Sequence, residues 1–260
     1  MHPIAFQLGK LTVHWYGVFL ALAFLAGLWT ATRRAPRTGV APEKISDAIL
    51  WLMIGAVIGA RALYVATYWR ESFGGEPWWE IFMIQKGGLV YYGGLAGASL
   101  ACIIYARVQK LPLWKVADIF APSIALGYVF GRIGCLMNGC CFGHQCSLPW
   151  AITFPPHQNG SGPAAGVPLH PTQIYDSLLN LALYSALAWL YRRKKFDGQV
   201  FAAYLMCYAV TRSIVEAFRG DYSDAHRHGG LTPAHLVSIG IFVTGAALFA
   251  ILQKRAAAKR

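Results

Sequence analysis

The densest concentration of reactive residue types lies between Gly131 and Gly143: Gly-Arg-Ile-Gly-Cys-Leu-Met-Asn-Gly-Cys-Cys-Phe-Gly. This stretch closes a mostly apolar run of about twenty residues, long enough to place Arg132 at or near membrane depth. A permanent charge there is expensive and marks a functional site, unless a carboxylate holds it for structural reasons. Gly131, Gly134, Gly139 and Gly143 allow sharp turns or close approach of backbone to a ligand. A second cation, Arg212, stands four residues before Glu216, which puts both on one helix face. Glu216 can neutralise Arg212, and the same pairing can hold the guanidinium fork in place for an anion. Two arginines near the outer ends of apolar helices suit recognition of a phosphate at a membrane surface. Arg61 has two readings, a third phosphate contact or a structural partner of Asp118 or another acid, and the structural one is favoured.

Four of the six cysteines, Cys135, Cys140, Cys141 and Cys146, fall within twelve residues. Their spacing is not the paired Cys-x-x-Cys of a zinc site, so no metal is expected. On the outer side of a membrane a disulfide among these four is the expectation, although the adjacent Cys140 and Cys141 do not bridge each other. Cys102 and Cys207 lie inside apolar runs and read as packing residues.

Three further motifs sit at the starts of apolar segments. His14-Trp15-Tyr16-Gly17 reads as an interfacial aromatic anchor. Gly87-Gly88-Leu89-Val90-Tyr91-Tyr92-Gly93-Gly94 fits either a helix broken around a ligand or close helix packing with interfacial tyrosines. His170-Pro171-Thr172-Gln173 reads as a helix start, with proline preset for the first turn and the histidine structural.

The elements that must carry these motifs follow from hydropathy. The chain is 56% hydrophobic and 13% charged over 260 residues, which fits a polytopic membrane protein and leaves no room for a separate soluble domain. Seven stretches of roughly 20 residues can span a bilayer, at about 13–32, 47–69, 88–106, 117–136, 172–191, 199–218 and 233–252. The fold class expected is all-α, a single integral membrane domain over 1–260 with an outer loop region at about 137–170. The first apolar run is too long for a signal-peptide core, and its basic cluster follows it, so no cleavage is expected.

Charge sets the orientation. Fifteen of the 23 basic residues lie in the connections after the first, third, fifth and seventh segments, against five on the other side. The positive-inside rule therefore places the N-terminus outside and the C-terminus in the cytoplasm. The net charge of +12 is thus a topology signal and a contact with anionic inner-leaflet lipid, not evidence for nucleic acid. Residues 70–87 combine Glu71, Glu76 and Glu80 with Trp78 and Trp79, an interfacial anchor on the outer side, and 219–230 form a polar outer loop.

Taken together, these residues resemble the prolipoprotein diacylglyceryl transferase family of bacterial membrane enzymes. The resemblance covers nearly the whole chain: His14-Trp15-Tyr16-Gly17, Gly59-Ala60-Arg61, Gly93-Gly94-Leu95, Gly131-Arg132-Ile133-Gly134, Asn138-Gly139, Gly143, His170 to Tyr175, and Arg212 to Arg219. It implies transfer of an sn-1,2-diacylglyceryl group from phosphatidylglycerol to the lipobox cysteine of a prolipoprotein signal peptide in the bacterial inner membrane. A thioether forms, glycerol 1-phosphate leaves, and no cofactor is involved. The resemblance assigns Arg132 and Arg212 to the phospholipid head group. It places Tyr16 and Tyr92 among the catalytic positions, and Gly93, Gly94, Asn138, Gly143 and Glu216 around the substrate. This chain departs from well-studied members at three places. It has Tyr92 where they have a histidine proposed as the base for the thiol, Cys135 where they have asparagine, and Cys140 where they have an acid.

That chemistry suits the residues. A thiolate attacks a glycerol carbon, the phosphate leaves with growing negative charge, and preorganised arginines in a low dielectric stabilise it. A tyrosine with pKa about 10 is a poor base at neutral pH, so neither Tyr16 nor Tyr92 is assigned that role. Two rival classes fit less well. A transporter for anionic metabolites would tend to show internal repeats, which the sequence lacks. A non-catalytic lipid-binding protein would treat the Tyr92 replacement as lost activity.

Overall fold

A computed structural model describes residues 3–9, 11–75, 77–155, 166–220 and 232–258. Glu76, part of the 144–165 loop and most of the 219–230 loop fall outside the described residues. Seven α-helices account for most of the described chain: α1 (Trp15–Arg34), α2 (Pro42–Thr67), α3 (Tyr91–Val108), α4 (Leu113–Asn138), α5 (Thr172–Arg193), α6 (Gln199–Glu216) and α7 (Pro233–Ala257). Each coincides with one of the expected apolar segments, and α2 and α4 begin several residues earlier than expected. The chain divides into two compact units, residues 1–30 with 117–260 and residues 31–116.

The all-α expectation needs one addition. Strands β1 (Ile4–Leu8) and β2 (Leu11–His14) form an antiparallel hairpin ahead of α1. Ile4, Phe6, Leu8, Leu11 and Val13 alternate with other residues on either side of Gly9, a period-two signal that the long apolar run of α1 obscured. Gly9 takes the positive φ of 61° that the turn needs.

The helices with the longest apolar runs are α1, α2, α4 and α7, and these four are long and apolar enough to cross a membrane. Their outward faces carry large apolar side chains in the open, among them Leu50, Ile58 and Val243, each about 60% exposed. A soluble protein rarely leaves such a surface uncovered, so these helices require an apolar solvent. Helix α5 is less apolar for a definite reason. Thr172, Gln173, Asp176, Ser177 and Asn180 make one buried face of its first turns, and Leu183, Leu187 and Tyr191 continue that face beyond.

In the 31–116 unit, α2 and α3 pack through small residues on both sides. A Cβ on Gly59 or Gly93 would run into the other's carbonyl oxygen, and Gly55 and Gly97 meet in the same way one turn along. This is small-residue packing of membrane helices. Helix α3 runs unbroken from Tyr91, so Gly93 and Gly94 are packing positions against α2, not a break in a helix. The positive φ angles fall earlier, at Gly87 and Gly88. Gly97→Leu is expected to part the two helices and lower the melting temperature in detergent, by the equivalent of about 1–3 kcal/mol of overpacking. Gly240→Leu, where a Cβ meets nothing within 4 Å, should melt like the parent. Heating followed by size-exclusion chromatography checks both.

Arg61 belongs to the same unit, and its partners correct the sequence expectation of an acid. Its guanidinium donates to four backbone carbonyls, from Nε to Ile81 O (2.7 Å), from Nη2 to Glu80 O (2.7 Å), and from Nη1 to Gly87 O (2.7 Å) and Gly88 O (3.2 Å). The Tyr64 and Phe73 rings lie 5.4 and 5.5 Å from it. A buried guanidinium thus organises the α2–α3 connection. Asp118, in the other unit, is held by Lys194 at 2.8 Å.

Candidate active site

Within the unit of 1–30 and 117–260, Arg132 sits on the penultimate turn of α4 and Arg212 on the last full turn of α6. Each stands four residues beyond a tyrosine, Tyr128 and Tyr208, and those two rings meet edge-on with centroids 5.7 Å apart. That contact puts both arginines at one level, a turn further along their helices.

Each cation has a carboxylate. Arg132 Nε pairs with Asp176 Oδ2 at 2.7 Å, Nη2 donates to the Tyr128 hydroxyl, and the guanidinium lies 4.8 Å from the Tyr128 ring. Arg212 Nη1 pairs with Glu216 Oε2 at 2.7 Å, as the sequence spacing anticipated. Both acids are buried, and each is fixed by a further side chain. Asn180 Nδ2 donates to Asp176 Oδ1 at 3.0 Å, and Thr232 Oγ1 donates to Glu216 Oε1 at 2.7 Å. Thr232 is also the N-cap of α7 and forms a capping box with His235. The Asp176 carboxylate lies within electrostatic reach of Arg132, Arg212 and Arg219 together. Among the described residues, three guanidiniums thus lie within reach of the buried Asp176 carboxylate, and the planar fork of arginine matches a phosphate.

Sequence reasoning missed Asp176, Tyr128 and Thr232, and placed Arg219 only on the outer side. An acid inside an expected span was the available signal for Asp176, together with the polar residues sharing its face of α5.

The segment after α4 carries the remaining residues. Asn138 ends α4, and Gly139 (φ 73°) and Cys141 (φ 64°) turn the chain back. Gly143 is then squeezed between two chain segments: its N–H donates to His170 O at 3.0 Å, and the His144 N–H donates to Phe218 O at 2.9 Å. A Cβ on Gly143 would lie 2.6 Å from Phe218 O and 2.8 Å from His170 O, so no side chain fits. Gly143→Ala is expected to displace this crossing and lower stability by about 1–3 kcal/mol, read as a lower melting temperature in detergent. His170 Nδ1 lies 3.2 Å from the Tyr175 hydroxyl, and that hydroxyl accepts from Trp150 Nε1 at 2.8 Å.

Tyr16 packs on α4, where a Cβ on Gly134 would lie 3.2 Å from its ring. It is within electrostatic reach of Arg132 and of Cys135, Cys140 and Cys141. Tyr92, Gly93 and Gly94 belong to the other unit, where Tyr92 is 66% exposed beside Tyr91.

The expected disulfide is not formed: all six cysteines are free thiols. Cys140 Sγ and Cys141 Sγ lie 3.9 Å apart, and these two and the Cys135 sulfur are all within 4.8 Å of one another. A disulfide needs about 2.05 Å. Hydrogen bonds with the Cys135 and Cys140 thiols hold the Cys141 thiol below the ordinary thiol range against the effect of burial, and the Arg132 and Arg219 charges act in the same direction.

Residues 3–251 match the family model described as prolipoprotein diacylglyceryl transferase. Curated relatives carry the name phosphatidylglycerol–prolipoprotein diacylglyceryl transferase. That of Gloeobacter violaceus is 35% identical over 98% of this chain and 94% of its own length. That of Finegoldia magna is 34% identical over 95% and 94%, and that of Nitratidesulfovibrio vulgaris 34% identical over 99% and 95%.

Proposed function

This chain belongs to the prolipoprotein diacylglyceryl transferase family, and we propose that it moves an sn-1,2-diacylglyceryl group from phosphatidylglycerol to the lipobox cysteine of a prolipoprotein. The thiol sulfur bonds to the glyceryl carbon, the carbon–oxygen bond to phosphate breaks, and its electron pair leaves with glycerol 1-phosphate. The thiol proton passes to solvent or to the leaving phosphate. This is the first step of lipoprotein maturation in the bacterial inner membrane.

One observation carries the reading: Arg132 and Arg212 stand at one level on neighbouring helices, each aligned by a buried carboxylate. Fixed guanidiniums of this kind bind the head-group phosphate and stabilise the charge it gains as the bond breaks. Asp176, Glu216 and Thr232 set their orientation. Tyr16 borders the Arg132 side of the site, and Asn138 and Gly143 shape the turn beneath it. Tyr92 as a catalytic position and Gly93 and Gly94 around the substrate rest on the family resemblance alone. The test is conversion of a lipobox peptide by purified protein with phosphatidylglycerol in detergent, together with rescue of a strain depleted of the transferase. No thioether product and no rescue would overturn the proposal.

The site works at the outer leaflet if all seven helices span, with the N-terminus outside and the C-terminus in the cytoplasm. The fifteen-to-five asymmetry of basic residues supports that orientation. Alkaline phosphatase fused after Arg260 is expected to be inactive, and inserted in the 144–165 loop it is expected to be active. The opposite pattern would reverse the topology.

A further inference from the structure

The three thiols beside the arginine cluster have no part in the transfer step, yet they converge. Cys135 lies on the last turn of α4 and points to the same spot as two cysteines that follow the helix end. The turn that brings them back is held from outside. Thr172 Oγ1 donates to Cys141 O and Gln173 Nε2 donates to Cys140 O, both at 2.7 Å, and the Cys140 N–H donates to Cys135 O at 3.2 Å. Thr172 and Gln173 are themselves buried. Cys141 is one of only two described non-glycine residues with positive φ, so its sulfur is placed by a backbone conformation that an ordinary side chain avoids.

The sulfur spacing suits a metal, not a disulfide. Bonds of about 2.3 Å from one cation to three thiolates put the sulfurs about 3.8 Å apart in tetrahedral geometry and about 4.0 Å apart in trigonal geometry. The Cys140–Cys141 sulfur separation is 3.9 Å, and no pair in the group exceeds 4.8 Å. Closing the remaining gap takes about 1 Å of movement of the sulfurs, within reach of small χ1 adjustments.

We propose that Cys135, Cys140 and Cys141 form a binding site for one thiophilic divalent cation of the zinc and cadmium class. Thiolate donors select that class over magnesium or calcium. Binding forms three metal–sulfur bonds and releases to solvent whatever protons the three thiols still carry, with no oxidant involved. The three thiolates and the cation carry a net charge of −1. Arg132 and Arg219, both within electrostatic reach of Cys141, face that charge. Cys146 is the fourth cysteine of the stretch and stands outside the group, with its N–H donating to Pro168 O, so it serves as the internal control. The site is independent of the transferase reading, because its test needs neither lipid nor prolipoprotein.

The experiment titrates the full-length, reduced protein in detergent with cadmium alone, reading the thiolate-to-cadmium charge-transfer absorption. Zinc alone is then titrated in competition with a chelator. One equivalent of each is expected to bind. Cys135→Ser, Cys140→Ser and Cys141→Ser should each weaken binding by at least about 100-fold, the upper end of what losing a mere supporting partner costs. Cys146→Ser should bind like the parent. Should a serine variant fold poorly, the parent protein still decides the matter. Zinc is then expected to shield Cys135, Cys140 and Cys141 from alkylation, mapped peptide by peptide, and to leave Cys146 as reactive as before. The proposal is overturned by no stoichiometric binding, by binding that survives all three substitutions, or by alkylation of unreduced membranes that reveals a disulfide within the three.

Discussion

Arg132→Lys and Arg212→Lys are each expected to lose on the order of 10²-fold or more in transfer rate while lipid binding changes far less. The reason lies in what each guanidinium does at once. Arg132 gives Nε to Asp176, Nη2 to Tyr128, and keeps further donors of its planar fork for a phosphate. Arg212 is tied to Glu216 through Nη1 in the same manner. A lysine ammonium is a single point of charge, and it cannot engage the buried carboxylate and present a two-pronged face to the phosphate together. The phosphate gains charge only as the carbon–oxygen bond breaks, so contacts that strengthen then are lost mainly from turnover. Asp176→Asn should lie between, because the amide keeps the shape of the side chain against Arg132 but no longer fixes the guanidinium by charge. Arg61→Lys separates structure from chemistry. Its four bonds are to backbone carbonyls, so it should lower the melting temperature more than the turnover of the protein that stays folded. The assay is initial rate against phosphatidylglycerol concentration with a lipobox peptide, beside a lipid-binding measurement. Near-normal turnover in both lysine variants would remove the phosphate clamp from the mechanism.

What the sequence disclosed and what it hid follow from the range of the forces involved. The four longest apolar helices, α1, α2, α4 and α7, were legible because a bilayer demands runs of about twenty apolar residues, and that demand is written locally. The Arg212–Glu216 pair was legible because helix geometry puts residues four apart in contact. Asp176 was not read as the partner of Arg132, because nothing local says which face of α5 meets α4. The partners of Arg61 were hidden more completely. They are carbonyls, which every residue has, and only the folded connection shows which four converge. The cysteines show a third kind of loss. Metal-site spacing rules assume a tight turn between ligands, whereas here a helix end and a left-handed residue bring Cys140 and Cys141 back to Cys135. The Gly93-Gly94 pair left two readings open, and the close approach of Gly59 decided between them.

The largest loss of stability is expected from Asp118→Ala, at a site with no part in the chemistry. Asp118 is fully buried in α4 and accepts three hydrogen bonds: from Lys194 Nζ at 2.8 Å, from the Gly198 N–H at 2.8 Å and from the Phe201 N–H at 3.0 Å. One carboxylate thus ties α4 to the connection between α5 and α6. Without it, two backbone donors lose their partner and the Lys194 ammonium is left with Asp197, at 3.1 Å on the surface, and the Tyr191 ring at 5.4 Å. Removing one member of a buried ion pair costs about 3–5 kcal/mol, a large part of the 5–15 kcal/mol that holds a typical domain together. The pH dependence follows from the lysine. Burial works against its charge, but the hydrogen bonds and charges of Asp118 and Asp197 prevail and hold it above an ordinary lysine. A folded-state value raised in this way contributes in full below the unfolded value and is lost as pH rises through the folded one. The lysine's share of the tie therefore persists at neutral pH and is lost in strongly alkaline solution. Asp118 and Arg132 share α4, about 21 Å apart along its axis, so the two ends can be separated by experiment. Asp118→Ala is expected to lower the melting temperature in detergent by well over the shift seen with Gly97→Leu. The protein that remains folded at low temperature should turn over like the parent. A variant that melts with the parent would show that the α4 tie adds nothing to stability.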